Sequence, residues 1–232
     1  MKKKITIFAI TPARGNSKGI KNKNLKKINN RSLLQICFDV AKKIKSINEI
    51  VLSSDSDKII KKALSIGYKV YFKRPNHLSG HKVGDMPVIK HALTHIENKI
   101  KKKIDYMVML QLTSPLRKAH HIKRCIKKII DNKLDAVWSI SKVDKKYHPD
   151  KQMILIKDRI KFFSKNGKNI VARQQLNHTY IRNGAVYVFS RKAILNENIL
   201  PKKSGYIIIN EEMISIDSKK DLKKVERIAK SN

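Results

Sequence analysis

Cysteine, acidic residues, aromatic residues and long apolar runs are all scarce in this sequence, and each shortage excludes a class of protein. Only two cysteines, Cys37 and Cys125, occur among 232 residues, and both fall on the apolar side of predicted helices. We therefore expect buried free thiols and no disulfide framework. No apolar run is long enough to span a bilayer, and the run that follows basic residues 1–4 is too short for a signal peptide. These shortages predict a cytoplasmic protein that does not enter a membrane.

Acidic residues are outnumbered: 53 lysines and arginines stand against 18 aspartates and glutamates, which gives a formal net charge of +35. Such a charge is typical of proteins that bind nucleic acid. The lysines, however, are spread over nearly every predicted helix and loop, and aromatic residues make up only 6% of the chain. A surface that stacks single-stranded nucleic acid needs aromatic side chains among the basic ones. We therefore interpret the charge as solvated surface and predict no nucleic-acid partner; a basic RNA-binding protein is the alternative outside enzymes.

The apolar residues alternate between strand and helix periods along most of the chain. Each predicted strand is followed by a helical pattern, with start and stop signals such as Ser32 and Gly67 at helix ends. Repeated β-α units predict an α/β fold: a mostly parallel sheet with helices on both faces, in one domain over residues 1–232. Strands are predicted at residues 5–10, 50–53, 70–72, 107–112 and 136–140.

This rhythm stops at residues 142–180. Two short apolar runs, 153–156 and 160–163, predict a β-hairpin, and a polar run without helical pattern follows. A lone hairpin could not bury these apolar side chains, so we expect the excursion to form much of a homodimer interface. The chain then returns to the core with N-G-A-V-Y-V-F. An extended segment at 214–216 leads to Asp217, and a capping pattern begins the last helix.

The loop after the first strand, A-R-G-N-S-K-G-I-K-N-K-N-L at residues 13–25, combines glycines with basic residues. Gly15 and Gly19 allow a ligand to approach the backbone, and Arg14, Lys18 and Lys23 supply positive charge. The loop matches neither G-x-x-x-x-G-K-[ST] nor G-x-G-x-x-G. From the residues alone, a phosphate site and a solvated basic loop therefore both stay open.

A second polar motif, Q-L-T-S-P-L-R at residues 111–117, follows another predicted strand. In an open α/β sheet the ligand crevice lies outside the carboxyl ends of the strands. The loops that begin at Thr11, Ser53 and Gln111 should therefore meet at one site.

Four motifs occur in the order seen in acylneuraminate cytidylyltransferases, the CMP-sialic acid synthetases, which the chain resembles over residues 5–226. The resemblance implies a Rossmann-like sheet with a small dimerisation element. It also implies an enzyme that joins CTP to a nine-carbon acidic 2-keto sugar of sialic, legionaminic or pseudaminic type and releases pyrophosphate. A CMP-Kdo-type synthetase that acts on an eight-carbon sugar is the alternative among enzymes. The four motifs are the loop at 13–25, Q-L-T-S-P-L-R at 111–117, R-Q-Q-L with N-G-A-V-Y-V at 173–188, and S-I-D-S-K-K-D-L at 215–222.

The resemblance also implies residue roles. Arg14, Lys23 and Asp217 are the expected catalytic residues, and Asp217 is the expected ligand of Mg²⁺. The excursion at 142–180 is expected to contact both the sugar and a second copy of the chain. The expected nucleotide-binding residues are Arg14, Asn16, Lys18, Lys23, Asn24, Arg74 and Gln111. The expected sugar-binding residues are Gln111, Thr113, Arg173, Gln174, Gln175 and Asn183.

Two positions depart from the family pattern. Ser215 stands where the family usually has a second carboxylate, two residues before the metal ligand. Because Mg²⁺ often needs only one or two carboxylates besides phosphates and water, we expect weaker metal binding and not its loss. His81 stands in a loop where relatives often carry Asp, so we expect the contacts of residues 78–85 with sugar or nucleotide to differ from the family pattern.

Overall fold

The protein is described from a computed structural model that covers residues 4–16, 20 and 22–230. The strands are β1 (Ile7–Pro12), β2 (Lys27–Ile28), β3 (Arg31–Ser32), β4 (Glu49–Ser53), β5 (Tyr106–Met109), β6 (Ala136–Lys142), β7 (Met153–Ile156), β8 (Arg159–Phe162), β9 (Tyr180–Ser190) and β10 (Ser204–Ile208). The α-helices are α1 (Leu33–Lys42), α2 (Asp57–Ile66), α3 (Asp85–Ile100), α4 (Ala119–Asp131), α5 (Arg191–Leu195) and α6 (Lys219–Lys230).

Six strands form one central sheet in the order β10-β6-β9-β5-β1-β4. β1 pairs in parallel with β4 and β5, and β10 pairs in parallel with β6. β9 lies antiparallel between β5 and β6. The prediction of a mostly parallel sheet is confirmed, and the carboxyl ends of its parallel strands share one edge.

Helices cover both faces of this sheet, as predicted. Ile7 and Ala9 of β1 belong to a core cluster that includes residues of α1, α2, α4 and α6. Phe8 and Ile10 point to the other face, into a cluster with residues of α3 and α5. Because both faces of a parallel strand are buried, β1 is a continuous apolar run and not an alternating one.

The predicted helix ends are confirmed. The Ser32 hydroxyl accepts from the Gln35 N–H at 3.2 Å at the start of α1. Gly67 ends α2 with φ of 114°, a conformation that favours glycine. The Asp221 carboxylate accepts from the Ser218 N–H at 2.7 Å at the start of α6.

Two predicted strands differ from the structure. The prediction of a strand at 70–72 is wrong, because only Lys69 pairs with a neighbouring strand, at Val51. The chain then turns towards the end of β4, where the Arg74 N–H donates to the Ser54 carbonyl at 2.8 Å. The strand predicted at 107–112 ends at Met109, and the loop that follows has its own hydrogen-bond partners. The prediction also omitted β2, β3, β10 and α5.

The predicted hairpin is present and lies outside the central sheet. β7 and β8 pair antiparallel, with Met153 opposite Phe162. Leu155, Ile160 and Phe163 are 79%, 62% and 62% exposed, so the hairpin presents apolar side chains at the surface of the chain. Cys37 and Cys125 are buried free thiols, as predicted. None of the helices in the described part of the chain has the length and apolar character to cross a membrane.

Candidate active site

A cavity of about 620 Å³ opens at the carboxyl ends of β1, β4 and β5. Pro12 at the end of β1, Gln111 after β5 and Arg74 beyond β4 all line it. Of the three loops that were predicted to meet, those after β1 and β5 line this cavity. The loop that begins at Ser53 does not line it but contacts the loop after β1 at the same edge of the sheet, where the Gly15 N–H donates to Asp55.

The loop after β1 is fixed by its own backbone contacts. The Asn24 side-chain amide donates to the Arg14 carbonyl at 2.8 Å, and the Gly15 N–H donates to the Asp55 carboxylate at 2.8 Å. A Cβ atom on Gly15 would lie 3.0 Å from that of Ser56, so the loop packs closely against the one after β4. The Arg14 guanidinium then extends along the cavity, where it donates to the Gly80 carbonyl at 3.4 Å.

Arg74 is a buried cation at this cavity with unused bonding capacity. It is 4% exposed, and its Nε and Nη2 atoms have no hydrogen-bond partner among the described residues. The nearest carboxylate oxygen, of Asp55, lies 3.8 Å from Nη2. Burial lowers the pKa of Arg74, with Asp55 acting in the opposite direction, yet a guanidinium stays protonated in proteins. A buried cation with free donors at a cavity wall is a receptor for an anion.

Lys23 and Asp217 bring the first and last motifs together. The Lys23 ammonium lies 3.0 Å from the Asp217 carboxylate, and both side chains line the cavity. Ile216 is buried, and its N–H donates to the Thr113 carbonyl at 2.8 Å. Because side chains of an extended segment alternate, Ser215 and Asp217 both face the cavity, while Ile216 is anchored in the core.

A second cavity of about 360 Å³ adjoins the first and shares Asp85, Gln111 and Ser215 with it. Arg182 and Tyr187 of β9 also line it. The Tyr187 hydroxyl accepts from the Gly184 N–H at 2.8 Å. Burial is the main cause that raises the pKa of Asp85, and the positive charge of Arg182 acts against it. The two cavities together form one site, with Arg14, Lys23 and Arg74 lining the first cavity and Arg182 lining the second.

Asn183 and Gly184 of β9 line the second cavity. The Asn183 side chain accepts from the Ser139 hydroxyl at 2.6 Å and donates to the Ser141 hydroxyl at 3.0 Å, so most of its bonding capacity holds β9 to β6. Gly184 has φ of 71°, and a Cβ there would lie 2.6 Å from the Gln111 side-chain oxygen. Only glycine allows Gln111 to occupy this place.

Arg117, the last residue of the Q-L-T-S-P-L-R motif, has a structural role. It is 3% exposed, and its Nη1 donates to the carbonyls of Gln111 and Ala185 at 3.0 and 2.7 Å. Its Nη2 lies 3.2 Å from the Cys37 sulfur. Arg117 therefore ties the loop after β5 to β9 and to α1, and its role is to position Gln111. Sequence reasoning did not assign it a role.

Several predicted site residues lie away from the cavities. Arg173, Gln174 and Gln175 form an exposed 3₁₀ turn in the excursion and line neither cavity. The Gln175 side chain accepts from the Ala172 N–H at 2.7 Å, which caps the turn. Within one chain, these residues do not reach the site.

Some of the other predicted site residues line a cavity, and others do not. Asn16 is exposed and does not line the cavity. Lys18 and Gly19 lie outside the described residues. Arg14, Lys23, Asn24, Arg74, Gln111, Thr113 and Asp217 line the first cavity, and Gln111 and Asn183 line the second.

A cluster of His120, His121 and Glu211 offers three potential metal-ligand atoms within 4.8 Å of one another. The His121 Nδ1 accepts from the Lys118 N–H at 3.1 Å at the start of α4. In neutral His121 the proton therefore sits on Nε2, which donates to Glu211 at 3.2 Å. A metal-bound histidine usually donates its other N–H, the reverse of this arrangement. We interpret the cluster as a helix cap that also holds the segment preceding Asp217.

The fold and the basic site together define a Rossmann-like α/β protein with a ligand cleft at the carboxyl edge of its sheet. The sequence is 34% identical over 220 residues to the post-translational flagellin modification protein B of Campylobacter coli, which covers 94% of this chain and 92% of that protein. It is 33% identical over 216 residues to the CMP-N,N'-diacetyllegionaminic acid synthase of Campylobacter jejuni, and this match covers 92% of this chain and 91% of that protein.

A solved structure of CMP:2-keto-3-deoxy-manno-octonic acid synthetase complexed with CTP has the same fold. Its TM-score is 0.72 at 15% identity, over 97% of this chain and 99% of that one. The family described as cytidylyltransferase matches residues 8–232. The chain belongs to the cytidylyltransferase family, and it is a nucleotidyltransferase enzyme.

Proposed function

We propose that this enzyme joins CTP to a nine-carbon acidic 2-keto sugar of the sialic, legionaminic or pseudaminic acid type, giving the CMP-sugar and pyrophosphate. The observation that carries the proposal is the first cavity, where three cations converge and one of them, Arg74, is buried with free donors. This is the environment that a nucleoside triphosphate requires. The relative that makes CMP-N,N'-diacetyllegionaminic acid supports the choice of sugar.

In this reaction the protein must chiefly neutralise and orient its substrates. The anomeric oxygen of the sugar forms a bond to the α-phosphorus, the bond from that phosphorus to the bridging oxygen breaks, pyrophosphate leaves, and the hydroxyl proton is released. Arg14, Lys23 and Arg74 bind the triphosphate, and Asn24 holds Arg14 in place. Gln111 lines both cavities and is therefore placed to contact both substrates. No covalent nucleophile is needed, because positioning and charge stabilisation lower such barriers.

The residues present fit a magnesium site. Mg²⁺ prefers oxygen ligands, keeps several waters and is often held by one or two carboxylates plus substrate phosphates. The Asp217 side chain is 72% exposed and lines the cavity beside Ser215, so a carboxylate and a hydroxyl can meet the triphosphate there. A bound Mg²⁺ would neutralise part of the phosphate charge. Lys23, which pairs with Asp217 at 3.0 Å, is then available to the phosphates.

The assembly that we propose is a homodimer formed through the excursion at 142–180. The exposed apolar side chains of β7 and β8 support it, because an isolated two-stranded hairpin is marginally stable in water. Any contact of Arg173, Gln174 or Gln175 with a sugar also requires a second copy, since these side chains lie off the cavities of their own chain. We expect the dimer to act in the cytoplasm.

Pyrophosphate release tests the proposal. The purified protein is incubated with CTP, Mg²⁺ and one of four acids: N,N'-diacetyllegionaminic, pseudaminic, N-acetylneuraminic and the eight-carbon acid Kdo. We expect release that depends on a nine-carbon acid and is fastest with one of the three. Release only with Kdo would favour the eight-carbon alternative, and no release with any acid would overturn the proposal.

Thermal unfolding separates this proposal from nucleic-acid binding. A ligand of the native state raises its stability with concentration. CTP with Mg²⁺ should therefore raise the unfolding temperature more than a random RNA oligonucleotide does at physiological salt, where non-specific binding is weakened. The opposite ranking would favour an RNA-binding protein.

A further inference from the structure

The second cavity has a single cation among the described residues that line it, and that cation is Arg182. Arg14, Lys23 and Arg74 all line the first cavity, where the triphosphate of the proposed reaction needs them. A 2-keto acid sugar carries its carboxylate directly on the anomeric carbon. When the anomeric oxygen reaches the α-phosphorus, this carboxylate lies close to the junction of the two cavities and needs a positive partner of its own.

The Arg182 side chain is held in place by an aromatic face. Its Cζ atom lies 5.1 Å from the centroid of the Trp138 ring. Trp138 is 5% exposed and packs against Tyr187 and Phe189, with ring centroids 4.4 and 5.6 Å away. A guanidinium stacked on an aromatic ring keeps its N–H donors free at the edge of its plane. The stack therefore orients Arg182 without using its hydrogen-bonding capacity.

The strand pairing directs this side chain to the cavity. The register between β6 and β9 shifts between Trp138 and Ile140, and Arg182 is the partner of Ile140. Such an irregularity re-aims a side chain relative to the regular pleat. The Arg182 side chain is exposed and makes no hydrogen bond or ion pair within the described part of the chain, although Asp85 lines the same cavity. The separation of these two charges exceeds 4.0 Å, so Arg182 is available to a ligand.

The other polar groups of the cavity suit hydroxyl groups of a sugar. Asp85 accepts hydrogen bonds when it is ionised, and Tyr187, whose oxygen accepts from the Gly184 N–H, keeps its own proton for donation. Arg173, which the sequence suggested for the sugar, lies off the cavity with its Nη2 atom 3.3 Å from Asp144. Arg182 is thus the group in this cavity with the charge and geometry for a carboxylate.

We propose that Arg182 binds the carboxylate of the acidic sugar and thereby makes the enzyme select acids over neutral sugars. The inference rests on the proposed function and adds to it the residue that recognises the acid. A planar guanidinium accepts a carboxylate with two parallel hydrogen bonds, which an ammonium cannot match.

The test compares Arg182→Gln, Arg182→Lys and the control Arg124→Gln with the wild type. Arg124 is an exposed arginine of α4 that lines neither cavity. The two probes are N,N'-diacetyllegionaminic acid, or whichever acid of the panel above the wild type prefers, and the C1 primary amide of the same sugar. The amide has nearly the same shape without the charge. Pyrophosphate release gives KM and kcat for each probe and for CTP.

Arg182→Gln should raise KM for the acid about 10- to 100-fold, the worth of a charged hydrogen bond, with KM for CTP changed less than about twofold. The preference of the wild type for acid over amide should collapse in this variant, be partly kept in Arg182→Lys and be unchanged in Arg124→Gln. Equal unfolding temperatures would show that all variants fold.

An acid-to-amide preference that survives in Arg182→Gln would overturn the inference about Arg182. A wild type that turns over none of the acids is a different result, because it refutes the proposed function itself. The two failures are therefore distinguishable in one set of assays.

Discussion

The two buried arginines at the site differ in how many of their side-chain N–H donors already have a hydrogen-bond acceptor within the protein. Arg74 and Arg117 are both almost fully buried, at 4% and 3% exposure. Arg117 donates to two backbone carbonyls, lies against the Cys37 sulfur and leaves Nε unpaired, whereas Arg74 leaves both Nε and Nη2 unpaired. Because unpaired buried donors are costly, Arg74 is a site for an anionic ligand and Arg117 is part of the scaffold.

The loop after β1 should carry the nucleotide. Arg14→Ala and Lys23→Ala should each lower kcat/KM for CTP about 100-fold or more, the size expected when a charged group at a reacting phosphate is removed. Both side chains leave a loop, so their truncation creates no core cavity and should leave the unfolding temperature nearly unchanged.

The matched control is Lys26→Ala, because Lys26 is exposed near the same loop and does not line the cavity. Its turnover should stay close to that of the wild type. Near-normal turnover in both Arg14→Ala and Lys23→Ala would remove this loop from the mechanism.

Asp217 should hold the magnesium, and Ser215 should be the position that tunes it. Asp217→Asn keeps the shape and removes the charge, so pyrophosphate release should need much more Mg²⁺ or fail. Ser215→Asp should supply a second carboxylate on the same side of the extended segment and lower the Mg²⁺ requirement. A magnesium titration measures both, and an unchanged curve for Asp217→Asn would show that the metal is held elsewhere.

Some individual site residues could be predicted from the sequence, and others could not. Arg14, Lys23 and Asp217 stand in recognisable motifs, and the structure brings all three to one cavity. Arg182 gave no signal in the sequence, because its orientation depends on stacking over Trp138 and on a register shift between two strands. Both depend on contacts between distant parts of the chain, which local spacing does not encode.

Among the elements, the start of α4 links a helix cap to the site. The neutral His121 ring accepts from the Lys118 N–H and donates to Glu211, and Glu211 begins the segment that carries Ser215 and Asp217. Burial is the main cause that lowers the pKa of His121 from its ordinary 6.5, partly offset by the hydrogen bond to Glu211. His120 and Lys118 add positive charge that lowers the pKa further.

The folded state should therefore lose stability when His121 is protonated. Since the pKa is lower in the folded chain, this contribution is complete above about pH 6.5 and declines as the pH falls below that value towards the folded pKa. His121→Asn keeps an acceptor for the Lys118 N–H but does not titrate. Its unfolding temperature should fall less than that of the wild type between pH 7 and pH 5.

The control for this series is His178→Asn, which removes an exposed histidine of the excursion. Its pH dependence should follow the wild type. If the curves of His121→Asn and the wild type run parallel over the whole range, the cap does not sense protonation.

Elements with strong local signals were predictable, and those that depend on pairing were not. Ser32, Gly67 and the Ser218–Asp221 pair mark helix ends through contacts within a few residues. The strand predicted at 70–72 failed because only Lys69 finds a partner before the chain turns to the cavity. Helix signals are local, whereas strand limits are set by the neighbouring strand.

At the scale of the whole molecule, the hairpin surface should mediate self-association. We expect a homodimer by light scattering at micromolar concentration. Leu155→Glu places a charge on a side chain that is 79% exposed in one chain, and it should shift the protein to a monomer if that surface is buried in the dimer.

The matched control is Leu64→Glu, because Leu64 is 54% exposed on α2 and lies outside the excursion. It should leave the dimer intact. A wild type that is monomeric, or a dimer that Leu155→Glu and the other hairpin variant Phe163→Glu both leave unchanged, would exclude this interface.

In the proposed reaction the anomeric oxygen of the sugar attacks CTP within the paired cavities, and an isotope label on that oxygen shows whether it does. The sugar acid is labelled with ¹⁸O at its anomeric position and incubated with CTP, Mg²⁺ and the enzyme, and the products are separated and weighed by mass spectrometry. We expect the label to stay in the CMP-sugar, pyrophosphate to be unlabelled and formed in equal amount, and Arg74→Gln to abolish both products. A CMP-sugar without the label, or pyrophosphate formed without any CMP-sugar, would contradict it.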